Sequence, residues 1–152
     1  MATSQLTIAA IDSFQGYAYR WPDRSCLELT RRYAKLAQGI DISKCEYEEL
    51  PEDEALTLVR KRHKRVAQAY DGFLKPYFKR LKKTVKHEEG DIVIVSSDTP
   101  ILARNGCVFD CSEGRDLLTL YGGYSYYHWT QHGLSIIADV PFDIVAVYRL
   151  KA

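Results

Sequence analysis

The residue best placed to do chemistry is Cys26. The run Ser25-Cys26-Leu27-Glu28 has the form of a capping box, with Ser at the N-cap and Glu three residues on. Pro22 and Asp23 just before it mark the end of an irregular approach. Cys26 therefore falls in a first helical turn, where free backbone N–H groups and the positive end of the helix dipole favour a thiolate. The competing reading is a small buried side chain, because Cys26, Leu29, Tyr33, Leu36 or Ala37, and Ile40 follow one helical stripe.

A nucleophilic thiol needs a base, and the chain has four histidines. His63 lies on an apolar helical stripe, and His87 stands beside Lys86, Glu88 and Glu89 in what reads as an exposed turn. His128 and His132 fall in the aromatic segment 124–133 and are the two candidates to serve Cys26. The same segment reads equally as a surface loop whose Tyr and Trp side chains make contacts with another protein.

The other cysteines suggest no metal centre. Cys45 is remote in sequence, and Cys107 and Cys111 lack the two-residue spacing of a zinc knuckle. Along one strand they share a face but stand too far apart for a disulfide, so both are expected as core thiols. No cofactor motif is present. With 46% hydrophobic and 27% charged residues, the 152-residue chain reads as one globular domain, 1–152. No apolar run is long enough to span a membrane, and residues 1–10 lack the basic start of a secretory signal. Synthesis in a reducing cytoplasm is the expectation.

The net charge of +1 hides an asymmetry. Between Arg60 and Lys86 lie eleven of the 21 Lys and Arg residues against one acid, Asp71. Arg60, Lys61, Arg62, Lys64, Arg65, Lys79, Arg80, Lys82 and Lys83 form a block suited to nucleic acid, an acidic protein surface or anionic lipid, with a solvated helical face as the competing reading. Tyr70, Phe73, Tyr77 and Phe78 are interleaved with it, as in single-strand binders, but they also fall at helical spacing.

The elements that must position these groups follow from periodicity. A helix runs from Cys26 to about Gln38, stopped by Gly39. A second starts at Pro51 with Glu52, Asp53 and Glu54 in its first turn and the stripe Leu56, Val59, His63, Val66, Tyr70. A third is expected from Phe73 to Val85, and residues 5–19 form a short opening segment with helical potential. After Gly90 the pattern changes to strands. Residues 91–95 form a β-branched run buried on both faces, and Asn105-Gly106 marks a hairpin between 101–104 and 107–110. Residues 117–120, 134–140 and 143–150 complete about six strands. Helices first and an antiparallel sheet afterwards predict an α+β fold.

The run Tyr19-Arg20-Trp21-Pro22-Asp23-Arg24-Ser25-Cys26 resembles the Tyr-x-Trp, Asp-Cys approach to the nucleophile in NlpC-type papain-like cysteine peptidases. Gly90-Asp91-Ile92-Val93-Ile94-Val95 resembles the Gly-Asp pair that opens their first long strand. A phage-encoded branch of that superfamily is similar in order: a Cys-led helix ending near Gly39-Ile40-Asp41, a helical insertion (here basic, about 51–86), the Gly-Asp strand, and a short last strand matched by 141–150.

The resemblance implies an NlpC-like fold, Cys26 as nucleophile and Tyr19 in its catalytic neighbourhood. It also exposes a departure. The family's His, at the start of the strand after the Gly-Asp strand, is replaced by Thr99-Pro100, and the Asp before the nucleophile by Ser25. Losing the base removes orders of magnitude in rate. The resulting expectation is a degenerate papain-like domain serving as a structural or assembly component of a phage tail or neck, made in the host cytoplasm and carried in the virion among other virion proteins. The alternatives are a cysteine hydrolase of peptidoglycan peptides using Cys26 with a relocated His128, and a nucleic-acid-binding module using 60–86.

Overall fold

A computed structural model describes residues 17–138 and 142–151. Helix α1 (Cys26–Gln38) is followed by a 3-10 turn at Glu46–Glu49, then α2 (Glu52–Arg62) and α3 (Val66–Leu74). The strands are β1 (Phe78–Leu81), β2 (Ile92–Ser96), β3 (Ile101–Leu102), β4 (Val108–Phe109), β5 (Leu117–Tyr121), β6 (Tyr126–Thr130), β7 (Gly133–Ile136) and β8 (Asp143–Leu150). Six of them form one antiparallel sheet in the order β1-β8-β2-β5-β6-β7, while β3 and β4 pair as a separate hairpin. The fold is α+β, and the three helices among the described residues pack against the sheet.

β2 lies inside the sheet, and its alternate side chains feed two cores. Ile92 and Ile94 join Leu29, Tyr33 and Ala34 of α1, with Leu118 and Leu120 of β5. Val93 and Val95 join Leu117, Val147 and Ile101 on the face covered by the β3–β4 hairpin. Burial on both faces is why this strand reads as an unbroken apolar run.

The Gly-Asp pair before β2 has a structural explanation. Gly90 adopts φ +94°, and the Tyr33 ring of α1 lies where its Cβ would be. Asp91, 1% exposed, accepts Arg149 Nε and Nη2, both at 2.8 Å, and the Glu88 N–H at 2.8 Å. This bidentate pair ties the end of β8 to the start of β2.

Several sequence expectations are corrected. The stripe through His63 is not one helix: α2 stops at Arg62, and α3 restarts at Val66 after Gln68 Oε1 accepts the N–H groups of Lys64 and Arg65 at 2.8 and 3.1 Å. The helix expected over 73–85 ends at Leu74, and Phe78–Leu81 is edge strand β1, in register with β8 from Phe78–Leu150 to Leu81–Val147. Backbone pairing with β8 outweighs a helical stripe interrupted by Pro76. The aromatic segment is a β6–β7 hairpin rather than a surface loop, with His128, Trp129 and Thr130 buried. The strand expected over 134–140 is β7 and ends at Ile136; residues 139–140 of that expectation, and residues 5–16 of the opening segment, lie outside the described residues.

Candidate functional site

Cys26 leads α1, but the capping box does not form. Ser25 has extended dihedrals and no side-chain cap; buried at 3% exposure, its hydroxyl donates to the Pro22 carbonyl at 2.9 Å. Glu28 turns instead to Arg31 Nη1 at 3.0 Å. A buried hydroxyl must be satisfied, and the turn just before it offers the nearer acceptor.

The position of the Cys26 sulfur is set by a seam in the sheet. β5 and β6 pair only at Leu120–Tyr127 and Tyr121–Tyr126. The Tyr126 carbonyl accepts from Ile137 N at 3.0 Å on the β7 side, so strand alternation turns the polar groups of Tyr127 and Trp129 toward β5. Continuation of the ladder would give Trp129 to Leu118. The strands part instead, and the Trp129 N–H donates to Cys26 Sγ at 3.4 Å.

A cavity of about 300 Å³ opens at this seam. Tyr19 and Trp21 of the approach segment, Cys26, Ala55 and Val59 of α2, Tyr70 and Phe73 of α3, Val108 and Phe109 of β4, and His128 to Thr130 of β6 line it. The approach segment is fixed to α2 and the residues before it: the Tyr19 hydroxyl donates to Glu52 at 2.5 Å, and Trp21 Nε1 donates to the Leu50 carbonyl at 3.0 Å. Cys26, His128 and Tyr19 thus share one cavity. His132 does not join them; it lies exposed in the β6–β7 turn, its N–H held by Thr130 Oγ1 at 3.1 Å.

Burial dominates the electrostatics. It pushes the Cys26 thiol up to about 11, against a smaller opposing effect of the Trp129 N–H. Desolvation outweighs the helix N-terminus, so the thiol is protonated at neutral pH. Burial also pulls His128 down to about 4. Its Nε2 is buried without a hydrogen-bond partner among the described residues. Burial, with the Cys26 charge as a further cause, raises the pKa of the Tyr70 hydroxyl.

The depressed His128 has a consequence for acid stability. Below pH 6.5 the unfolded chain binds a proton that the native imidazole refuses until about pH 4, so stability falls as pH drops through this window and levels below it. The loss amounts to about 3 kcal/mol, and it should be absent in His128→Phe. Urea melts of both proteins at pH 7 and pH 4.5 measure it; parallel pH dependence in the two would show that His128 is not responsible.

Thr99 and Pro100 are exposed in the turn before β3. β2 is flanked by β8 and by β5, and β5 opens after Asp116. Asp116, 1% exposed, accepts Arg65 Nε at 3.3 Å together with Arg65 Nη2, and the Ala67 N–H at 3.0 Å. It anchors the start of α3. Cys107, expected in the core, is half-buried in the cavity wall, while Cys111 is buried on the other face. Glu52, Tyr70, Arg115 and the Trp129 amide are site groups that sequence reasoning missed. Glu52 was one of three acids in a helix start and Tyr70 one position on a stripe, so neither carried a signal of its own.

Three arginines of the basic block are matched by acids from outside it. Arg60 pairs with Glu113 at 3.3 Å, Arg62 with Glu46, and Arg65 with Asp116. Arg80 faces Asp71 at 3.7 Å. Lys61, Lys64, Lys79, Lys82 and Lys83 are exposed and form no ion pair among the described residues. Among those residues no cluster of His, Cys, Asp or Glu is arranged to hold a metal ion, and no helix is long and apolar enough to cross a membrane. A scan against protein-family models finds no match, and a search of curated proteins finds none either.

Proposed function

We propose that this protein is a papain-like cysteine hydrolase acting on an amide or ester, with Cys26 as nucleophile and His128 as relocated base. The observation that carries this reading is that Cys26 and His128, whose Nε2 is buried without a hydrogen-bond partner among the described residues, line one cavity. At neutral pH both groups are uncharged, so the thiol proton leaves as the S–C bond forms rather than beforehand. His128 takes that proton and returns it to the leaving group, and water then hydrolyses the thioester. Transfer between them runs through one water or a side-chain shift on substrate entry, since ligand-free geometry is often looser than the reacting one. The apolar wall excludes bulk water from the intermediate.

The test is acyl-enzyme trapping with activated esters and short peptide amides, read by mass spectrometry. Cys26→Ala should abolish the adduct, and His128→Gln should slow its formation by ~10²-fold. Iodoacetamide labelling of Cys26 should be on the order of tenfold slower at pH 7 than for a free thiol and should climb until about pH 11. Ester turnover unchanged by Cys26→Ala would overturn the reading.

A second reading, a structural component of a phage particle, is favoured by a different observation. The hydrogen bond at Cys26 Sγ comes from a backbone amide rather than from an imidazole, and five exposed lysines are left to meet an acidic partner surface. Finding the chain in purified virions, with no Cys26-dependent acylation, would favour it over the hydrolase.

A further inference from the structure

Resting on the nucleophile reading above, we propose that the cavity takes an acyl compound bearing a carboxylate, and that Arg115 anchors that carboxylate while the acyl carbon lies at Cys26. Among the described residues, three charged side chains line the cavity: Glu52, Arg115 and Asp116. Asp116 is committed to Arg65 and the Ala67 amide, and Glu52 accepts the Tyr19 hydroxyl. Glu113 pairs with Arg60, and Asp110, which accepts from Ser112 N–H and Oγ, feels the Arg115 charge but forms no ion pair with it among the described residues. Arg115 is left exposed and without an ion pair among the described residues.

Its guanidinium lies over the Phe109 ring, 5.1 Å from the centroid, on a shelf provided by β4. A guanidinium held over a ring by its charge forms no hydrogen bond to that ring's carbons and keeps N–H groups that can take a carboxylate through two parallel hydrogen bonds. Arg115 is also within electrostatic reach of the nucleophile's surroundings. The phenol of Tyr70 feels a Cys26 thiolate and the Arg115 guanidinium with opposite signs. Tyr70, Cys26 and Arg115 line the same cavity. The remaining wall is mainly apolar and suits a hydrocarbon or aromatic body. Glu52 repels a second negative charge, which selects a monoanion.

The probe is a pair of alkylating reagents of nearly equal size, iodoacetate and iodoacetamide, applied to the whole chain at low salt. In each case the sulfur displaces iodide: an S–C bond forms, the C–I bond breaks, and the thiol proton passes to buffer. The rate ratio of iodoacetate to iodoacetamide at Cys26 should exceed that of glutathione by about tenfold, and added salt at roughly 0.5 M should shrink the difference. Arg115→Gln should lower the iodoacetate rate about tenfold more than the iodoacetamide rate, Arg115→Lys should retain part of the preference, and Glu52→Gln should enlarge it. A ratio equal to that of glutathione, or one indifferent to Arg115, overturns the anionic-ligand assignment and leaves the nucleophile reading standing. No labelling of Cys26 by either reagent up to about pH 10, where an ordinary thiol is ionised, overturns both.

Discussion

Glu48→Ala should lower the stability of the protein by about 3 kcal/mol, because it takes from buried Arg31 its bidentate partner. Arg31 is 9% exposed and Glu48 5%. The guanidinium donates to both Glu48 oxygens, through Nη1 at 2.7 Å and through Nη2, and its Nε donates to the Ile42 carbonyl at 3.1 Å. This bidentate pair fastens α1 to the 3-10 turn that leads into α2, so the helix carrying Cys26 depends on it. Removing Glu48 leaves a buried guanidinium short of two hydrogen bonds, with Glu28, a quarter exposed and 3.0 Å from Nη1, as its one remaining ion-pair partner among the described residues. Replacing both by apolar residues, Arg31→Met with Glu48→Leu, removes the charge altogether and should recover most of the loss. Urea midpoints of the two variants against the parent decide the matter; equal destabilisation of the single and double variants would contradict it.

The second large effect is expected at Gly90. An Ala there places its Cβ 2.0 Å from the Tyr33 hydroxyl oxygen and 2.5 Å from its ring carbon, in a residue held at φ +94°. The dihedral alone costs about 1–3 kcal/mol for a side-chain-bearing residue, and displacing a buried ring adds about as much again. Gly106 separates the two contributions. It has φ +90° in the β3–β4 turn, and nothing lies within 4 Å of where an added Cβ would stand, so Gly106→Ala measures backbone strain without a clash. Thermal melts should show Gly90→Ala to be the more destabilised by several degrees. Similar losses at both positions would mean that the Tyr33 ring yields freely and the Gly-Asp turn is held by the backbone alone.

What was legible in the sequence was what local chemistry dictates. Cys26 leads a helix and Gly39 closes it with φ 68°. Ile92 to Val95 are buried on both faces, and Asn105-Gly106 joins the β3–β4 hairpin. Illegible was whatever depended on partners distant in the chain. Phe78–Leu81 is a strand because β8, far along the chain, offers it a ladder. Ser25 fails as a cap because burial gives its hydroxyl to Pro22. The Cys26–Trp129 contact spans 103 residues, and no spacing rule could announce it. The charge block misled for the same reason: Glu46, Glu113 and Asp116, which neutralise part of it, lie outside the segment where the charge is counted.

The parting of β5 and β6 makes one backbone amide a spectator of the chemistry proposed for Cys26. The Trp129 N–H donates to the sulfur where a strand carbonyl would otherwise have held it. A thiolate is a stronger acceptor than a thiol, and a thioester sulfur, drawn on by its carbonyl, is a weaker one. Every change of state at the sulfur therefore alters the shielding and exchange rate of this single proton. The resonance of one tryptophan amide would serve as a native gauge of ionisation, acylation and oxidation at Cys26, with no label attached to the protein.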